Sequence, residues 1–252
     1  MNTLTLWFHK MGSPPTFYRV ASRIEPWLFA TALLSAAVGL YLGLFRAPAD
    51  YLQGESARIL YIHVPCAWMS LFVYAFMALN GAIAIVWRIK LSEQLVVAAA
   101  PIGAAFTAIT LVTGALWGKP TWGTYWVWDA RLTSELVLLF LYFGVIGLER
   151  AIEDRRKAAR AASLLAIVGV VNLPIIHFSV KWWNTLHQGE SIKLIGKSTV
   201  DPSMLWPILI MAVATKLYFG GALLARTRIA VLAQESGKEW VRELVLGKER
   251  NS

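Results

Sequence analysis

Sulfur chemistry is almost absent from this chain: Cys66 is its single cysteine. That excludes an internal disulfide, a CxxC redox pair, a cysteine-built zinc site and covalent attachment of a prosthetic group through C-x-x-C-H. Cys66 lies in an apolar run, where a lone thiol is a small hydrophobic side chain. Acidic residues are also scarce, 15 Asp and Glu against 24 Lys and Arg, and only 15% of the residues are charged. No Gly-x-x-x-x-Gly-Lys loop is present to cradle a nucleotide's phosphates. No basic stripe interleaved with aromatics is present either, so nucleic acid is not expected as a partner. The chain has no internal repeat and no low-complexity tract. The N-terminal stretch carries Lys10, Arg19 and Arg23 around Gly12-Ser13-Pro14-Pro15. The apolar run after it has no small-residue cleavage pattern, so a retained first helix is expected rather than a cleaved signal.

What is abundant is apolar side chain, 57% of the residues. It comes in runs of about 20, the length that crosses a bilayer as a helix. The fold class expected is an all-α integral membrane protein with six transmembrane helices, roughly at 26–45, 64–87, 94–116, 132–149, 162–180 and 204–225. One polytopic domain over 1–252 accounts for the length. Lys and Arg are unevenly shared between the two sets of connections. The N-tail, 88–93, 150–161 and the C-tail hold most of them, including Arg88, Lys90, Arg150, Arg155, Arg156, Lys157, Arg160, Arg226 and Arg228. The other set holds Arg46, Arg58, Lys119, Arg131, Lys181, Lys193 and Lys197. Both termini are therefore expected in the cytoplasm. The connections 46–63, 117–131 and 181–203 then lie on the outer face, the periplasm in a bacterium. After Arg226, charged residues alternate with Ile229, Leu232, Trp240 and Leu244, which predicts an amphipathic helix over 227–252 on the inner membrane surface.

The segment between the third and fourth spans is Trp117-Gly118-Lys119-Pro120-Thr121-Trp122-Gly123-Thr124-Tyr125-Trp126-Val127-Trp128-Asp129. It is too polar and broken to cross a bilayer and too aromatic for an ordinary connector. An interfacial aromatic belt would account for the tryptophans, but not for the Gly/Pro breaks and the terminal carboxylate. Large flat apolar side chains at a membrane edge suit a large flat apolar ligand, and haem is the ligand expected. Trp122 and Trp126 would share a face if this segment were a short helix, with Trp128 closing an edge. Asp129 fits two roles, N-cap of the fourth span or a carboxylate that orients a histidine. Arg131, Lys119 and Arg58 are candidate partners for haem propionates, or else ordinary interfacial cations.

Four histidines are present. His9 lies in the N-tail and is read as incidental. His63 stands at the outer mouth of the second span, just before Pro65, a residue expected in a helix's first turn. His187 follows the fifth span. Each alone is ordinary for a helix end, but two at one level beside an aromatic platform fit the axial positions of haem iron. Zinc would need three or four ligands, and no cluster supplies them. His177, inside the fifth span, is a reserve ligand or a hydrogen-bonding group facing the bundle interior. Glu135 and Lys216 are each read as part of a buried pair or as a snorkelling group, and Asn80 and Asn172 as links between helices.

Trp117-Gly118-x-Pro120-x-Trp122-Gly123-Thr124-x-Trp126-x-Trp128-Asp129-Ala130-Arg131-Leu132-Thr133-Ser134 resembles the tryptophan-rich WWD signature of haem-handling proteins of cytochrome c maturation. Six spans, His63-Val64-Pro65 and Trp182-Trp183-x-Thr185-Leu186-His187-Gln188 are similar to the short branch, the CcmC family. The resemblance covers the chain from its first span to its sixth. It implies non-covalent, b-type haem at the periplasmic face of the bacterial inner membrane. It puts Trp117, Trp122, Trp126, Trp128, Asp129 and Arg131 around the macrocycle, and His63 and His187 on the iron. It further implies delivery of haem to the periplasmic chaperone CcmE, work beside the small membrane protein CcmD and the CcmA–CcmB ABC transporter, and no enzymatic role. Two other functions fit the residues less well. A haem permease would carry more polar groups at mid-membrane, and a b-type cytochrome would carry histidine pairs buried in facing spans.

Overall fold

The computed structural model describes residues 13–187, 189, 192, 198 and 200–249. The expectations for His9, Lys10, Gln188, Lys193 and Lys197 lie outside those residues. The described chain is helical: α1 (Pro14–Tyr41), α2 (Leu60–Trp87), α3 (Lys90–Trp122), α4 (Ala130–Ala151), α5 (Arg155–Gly169), α6 (Asn172–Trp182), α7 (Pro202–Gln234) and α8 (Glu239–Glu249). A π-helical turn, Leu42–Arg46, extends α1, and a 3-10 turn, Glu55–Ile59, leads into α2. Among the described residues there is no strand, only an isolated bridge between Asp50 and Gly54. Six of these helical units, α5 and α6 counting as one, are long and apolar enough to cross a membrane.

The ends have local causes. Pro14 and Pro15 open α1, where their missing N–H groups are not needed. Asp129, Asp154 and Asp201 cap α4, α5 and α7 by accepting from backbone N–H groups. At Gly123, φ is +80°, a left-handed conformation that ends α3 at little cost for glycine. The fifth crossing is not one helix but two. It breaks at Val170–Val171, just before Pro174, which has no N–H to donate one turn back.

Helices α2 and α3 form the centre of the bundle, with about half of their apolar windows buried, whereas α1 has only 17% of its window buried and packs chiefly on α7. The centre is tightly fitted by small residues opposite rings. A Cβ on Gly103 of α3 would meet the Tyr142 ring at 2.2 Å, and one on Gly169 would meet the Tyr74 hydroxyl at 2.1 Å. Tyr74 and Tyr142 stand edge to face, 5.1 Å apart, and the Tyr142 hydroxyl donates to the Ser70 carbonyl at 2.7 Å. Cys66 is buried in the same core.

Several sequence expectations need correcting. The second span's helix begins at Leu60, so Pro65 lies beyond the first turn and His63 is inside the helix. Residues 117–122 are the last turns of α3, not part of a loop, so the irregular segment is shorter than 117–131. Residues 227–234 continue α7, and the separate tail helix is only α8, whose Trp240 ring packs 6.0 Å from Tyr18. Asn172 does join helices, donating to the Ser134 carbonyl at 2.9 Å, but Asn80 donates to Phe76 within its own helix. Lys216 is exposed and Glu135 is buried.

Candidate functional site

The connections 47–54 and 123–129 and residues 183–187 meet at one end of the bundle over a cleft. It spans about 730 Å³ when the open solvent at its mouth is counted. His63, Trp117, Trp122, Trp126, Arg131 and His187 all line it, together with Gln53 and Glu135. Residues distant in sequence are thus brought to one place, and His63 and His187 share a cavity.

His63 is held from α3. Its Nδ1 is 3.0 Å from the Thr113 hydroxyl oxygen. The Thr113 hydroxyl donates to the Ile109 carbonyl at 2.6 Å, so its oxygen faces His63 as an acceptor. The hydrogen-bond network therefore assigns the proton to Nδ1 and leaves the Nε2 lone pair available to a metal. The imidazole can lie this close to α3 because the next residue is Gly114, where a Cβ would stand 3.0 Å from the ring's Cε1. Trp117 packs edge to face with His63, centroids 5.6 Å apart, and its indole N–H donates to Gln53 Oε1 at 3.0 Å. Gln53 is fixed in turn by the Asp50 carboxylate, which accepts from the N–H groups of Leu52 and Gln53. Gly54 closes that turn with φ +57°. On the other wall, His187 lies beyond α6, and its ring is 6.2 Å from that of Trp122.

Trp122 and Trp126 both reach the cleft, though not as faces of one helix: Trp122 ends α3 and Trp126 lies in the non-helical stretch after Gly123. Trp128 does not line the cleft. It is 77% exposed, edge-on to Trp126 at 5.4 Å. Asp129 Oδ1 caps α4 by accepting from Leu132 at 2.8 Å, while its Oδ2 is buried without a hydrogen-bond partner. Trp126 Nε1 and Glu135 Oε1 are buried and unpartnered as well. Trp126 and Glu135 line the cleft, and their two orphaned atoms suit a bound ligand or water that satisfies them.

Of the three cations considered for propionates, only Arg131 lines the cleft, with one N–H donated to the Ile176 carbonyl at 3.2 Å. Arg58 instead pairs with Glu55 and donates to the carbonyls of Gly43 and Ala47. Lys119 donates to the Gly123 carbonyl and stands 5.3 Å over the Tyr125 ring. His177 is exposed rather than turned to the bundle interior, with its ring against Phe178. Sequence reasoning missed Gln53 and Thr113, which gave no signal beyond being polar near an aromatic. It named Glu135 without placing it. A carboxylate one turn after Arg131 on an apolar helix was the available clue.

Comparison with known proteins adds an independent line. The family model described as CcmC, heme exporter protein C, matches residues 7–242. Heme exporter protein C of Escherichia coli K12 is 50% identical over 242 residues, 96% of this chain and 98% of that protein. Its namesake in Haemophilus influenzae is 47% identical over 238 residues, 94% of this chain and 97% of that protein. A putative cytochrome c biosynthesis ccmC-like mitochondrial protein of Marchantia polymorpha is 43% identical over 220 residues, 87% of this chain and 93% of that protein.

Proposed function

The chain belongs to the heme exporter protein C family, CcmC, and on that premise we propose that it holds haem in the cleft and delivers it to the periplasmic chaperone CcmE. The names of its relatives support haem handling for cytochrome c maturation. The observation that carries the finer reading is the convergence of His63 and His187 on one cleft walled by Trp117, Trp122 and Trp126. The residues fit haem as cargo. Neutral imidazoles suit its iron, indoles suit its apolar plane, and Arg131 suits a propionate. The orphaned Trp126 Nε1 and Glu135 Oε1 supply polar atoms within the same walls.

The chain's own part is to bind, orient and release. Haem supplies an iron that accepts two axial nitrogens. The hydrogen bond from His63 Nδ1 to Thr113 sets the imidazole's plane and leaves Nε2 as the ligating atom. His187 lies beyond α6 in a non-helical connection and approaches from the other wall. Release needs both imidazole nitrogens to be displaced from the iron, that of His187 on its connection and that of His63 beside α3. Binding is non-covalent and b-type. Trp128, exposed at the cleft's edge, presents an aromatic surface to an incoming carrier. In this account the site faces the periplasm from the bacterial inner membrane, and CcmD and the CcmA–CcmB transporter are the working partners. The protein acts as a carrier and presenter rather than an enzyme.

Haem-loaded protein in vesicles, mixed with purified CcmE, tests delivery. Haem passing to CcmE faster from the loaded protein than from an equal amount of free haem is the expected result. Equal rates would overturn delivery while leaving binding intact.

A further inference from the structure

Lys216 lies on α7 with its side chain exposed, on the outside of the bundle. Its depth follows from two neighbouring helices. Toward one end of the bundle, Arg228 of α7 pairs with Glu25 of α1. At 1.5 Å per residue, Lys216 is about 18 Å from Arg228 and about 21 Å from Pro202 at the other end of α7. The packing of α1 agrees. Gly39 lies against Met211 and Phe29 against Gly221, which puts Lys216 level with the middle of the apolar run of α1. In a hydrocarbon core about 30 Å thick, that is near the midplane. The four-carbon stem is too short to carry the ammonium to either interface.

An ammonium facing lipid at that depth is costly unless something pairs with it. Among the described residues Lys216 has no hydrogen bond and no ion pair. Among the described carboxylates only Glu135 lies within the apolar part of a crossing, and it is buried at the cleft in the bundle interior. A second copy of this chain therefore has no exposed mid-depth carboxylate to offer. Around Lys216, the residues Trp206, Leu209 and Val213 recur at helical spacing and are exposed or half-buried.

We propose that this face of α7 docks a membrane-spanning helix of a different protein, one that carries an Asp or Glu at mid-depth opposite Lys216. The carboxylate and the ammonium neutralise each other where neither can reach water. The apolar positions on the same face supply the helix–helix contact. The proposal stands on the α7 surface and does not depend on the haem reading.

The test is photo-crosslinking in native membranes, with a benzophenone amino acid at Val213 and, as a control, at the exposed Val137 of α4. The expected adduct at Val213 is another membrane protein with a carboxylate midway along a spanning segment. Its yield falls at least about 10-fold in Lys216→Leu and is kept in Lys216→Arg. In Lys216→Glu it returns when the partner's acid is changed to Lys. An unchanged denaturant-unfolding midpoint in detergent for Lys216→Leu reports intact folding. Adducts only to lipid or to a second copy, a partner with no intramembrane carboxylate, or a yield indifferent to Lys216→Leu would each overturn the proposal.

Discussion

Gly114→Ala separates the folding of this protein from the shaping of its site. The added Cβ would stand 3.0 Å from His63 Cε1 and 3.6 Å from Nδ1. Carbon atoms rest at about 3.5–4.0 Å, so the imidazole must give by a few tenths of an ångström. Its hydrogen bond to Thr113 is 3.0 Å long, and that shift stretches it toward the limit of hydrogen-bonding range, with its loss as the upper bound. Losing one buried hydrogen bond costs about 1–3 kcal/mol, which is about 5- to 150-fold in haem affinity if His63 ligates the iron. Helix propensity works the other way, since alanine favours α3 by about 1 kcal/mol over glycine. The expected outcome is weaker haem binding with an unfolding midpoint equal to or above wild type. Haem titration followed by absorbance measures the first, and denaturant unfolding in detergent the second. Wild-type affinity in a folded Gly114→Ala protein would refute the argument that α3 fixes the iron ligand.

Thr113→Val keeps the volume but removes the acceptor for His63 Nδ1. We expect about a 10-fold loss of haem affinity by the same titration, from leaving a buried donor unpaired. Gly103→Ala forces a methyl onto the Tyr142 ring at 2.2 Å and should lower stability by about 1–3 kcal/mol. Gly147→Ala, with nothing within 4 Å of its Cβ, should be neutral or mildly stabilising in the same unfolding assay. Asp201 caps α7, and hydrogen bonds from Ser203 hold its carboxyl below the usual aspartate range. A lowered value means that this cap contributes above the unfolded-state value and is lost as pH falls through the folded one. Amide exchange in the first turn of α7 should therefore accelerate at the acid end, and Asp201→Asn should remove that dependence.

The number and order of the crossings were legible because runs of about 20 apolar residues have few other uses. The ends of the helices were not. Gly118 and Pro120 suggested a break that α3 passes through before stopping at Gly123, because a proline near a helix end removes few bonds. The same holds for Pro65, which α2 accommodates after a 3-10 entry. At the site, histidines and tryptophans were visible as chemistry-bearing residues at one membrane level. What orients them was not. Thr113 and Gln53 act across 50 and 64 residues, and no local pattern encodes such distances. Cation choice was equally hidden: Arg58, Lys119 and Arg131 look alike in sequence, and Arg58 is drawn to Glu55 and two carbonyls and Lys119 to the Gly123 carbonyl, while Arg131 lines the cleft.

The most direct test of the account is the absorption spectrum of purified protein, oxidised and dithionite-reduced, for wild type, His63→Ala and His187→Ala. The account predicts a six-coordinate low-spin haem spectrum in the wild type that is lost or altered in each variant. Spectra unchanged in both variants would contradict the assignment of these two imidazoles to the iron.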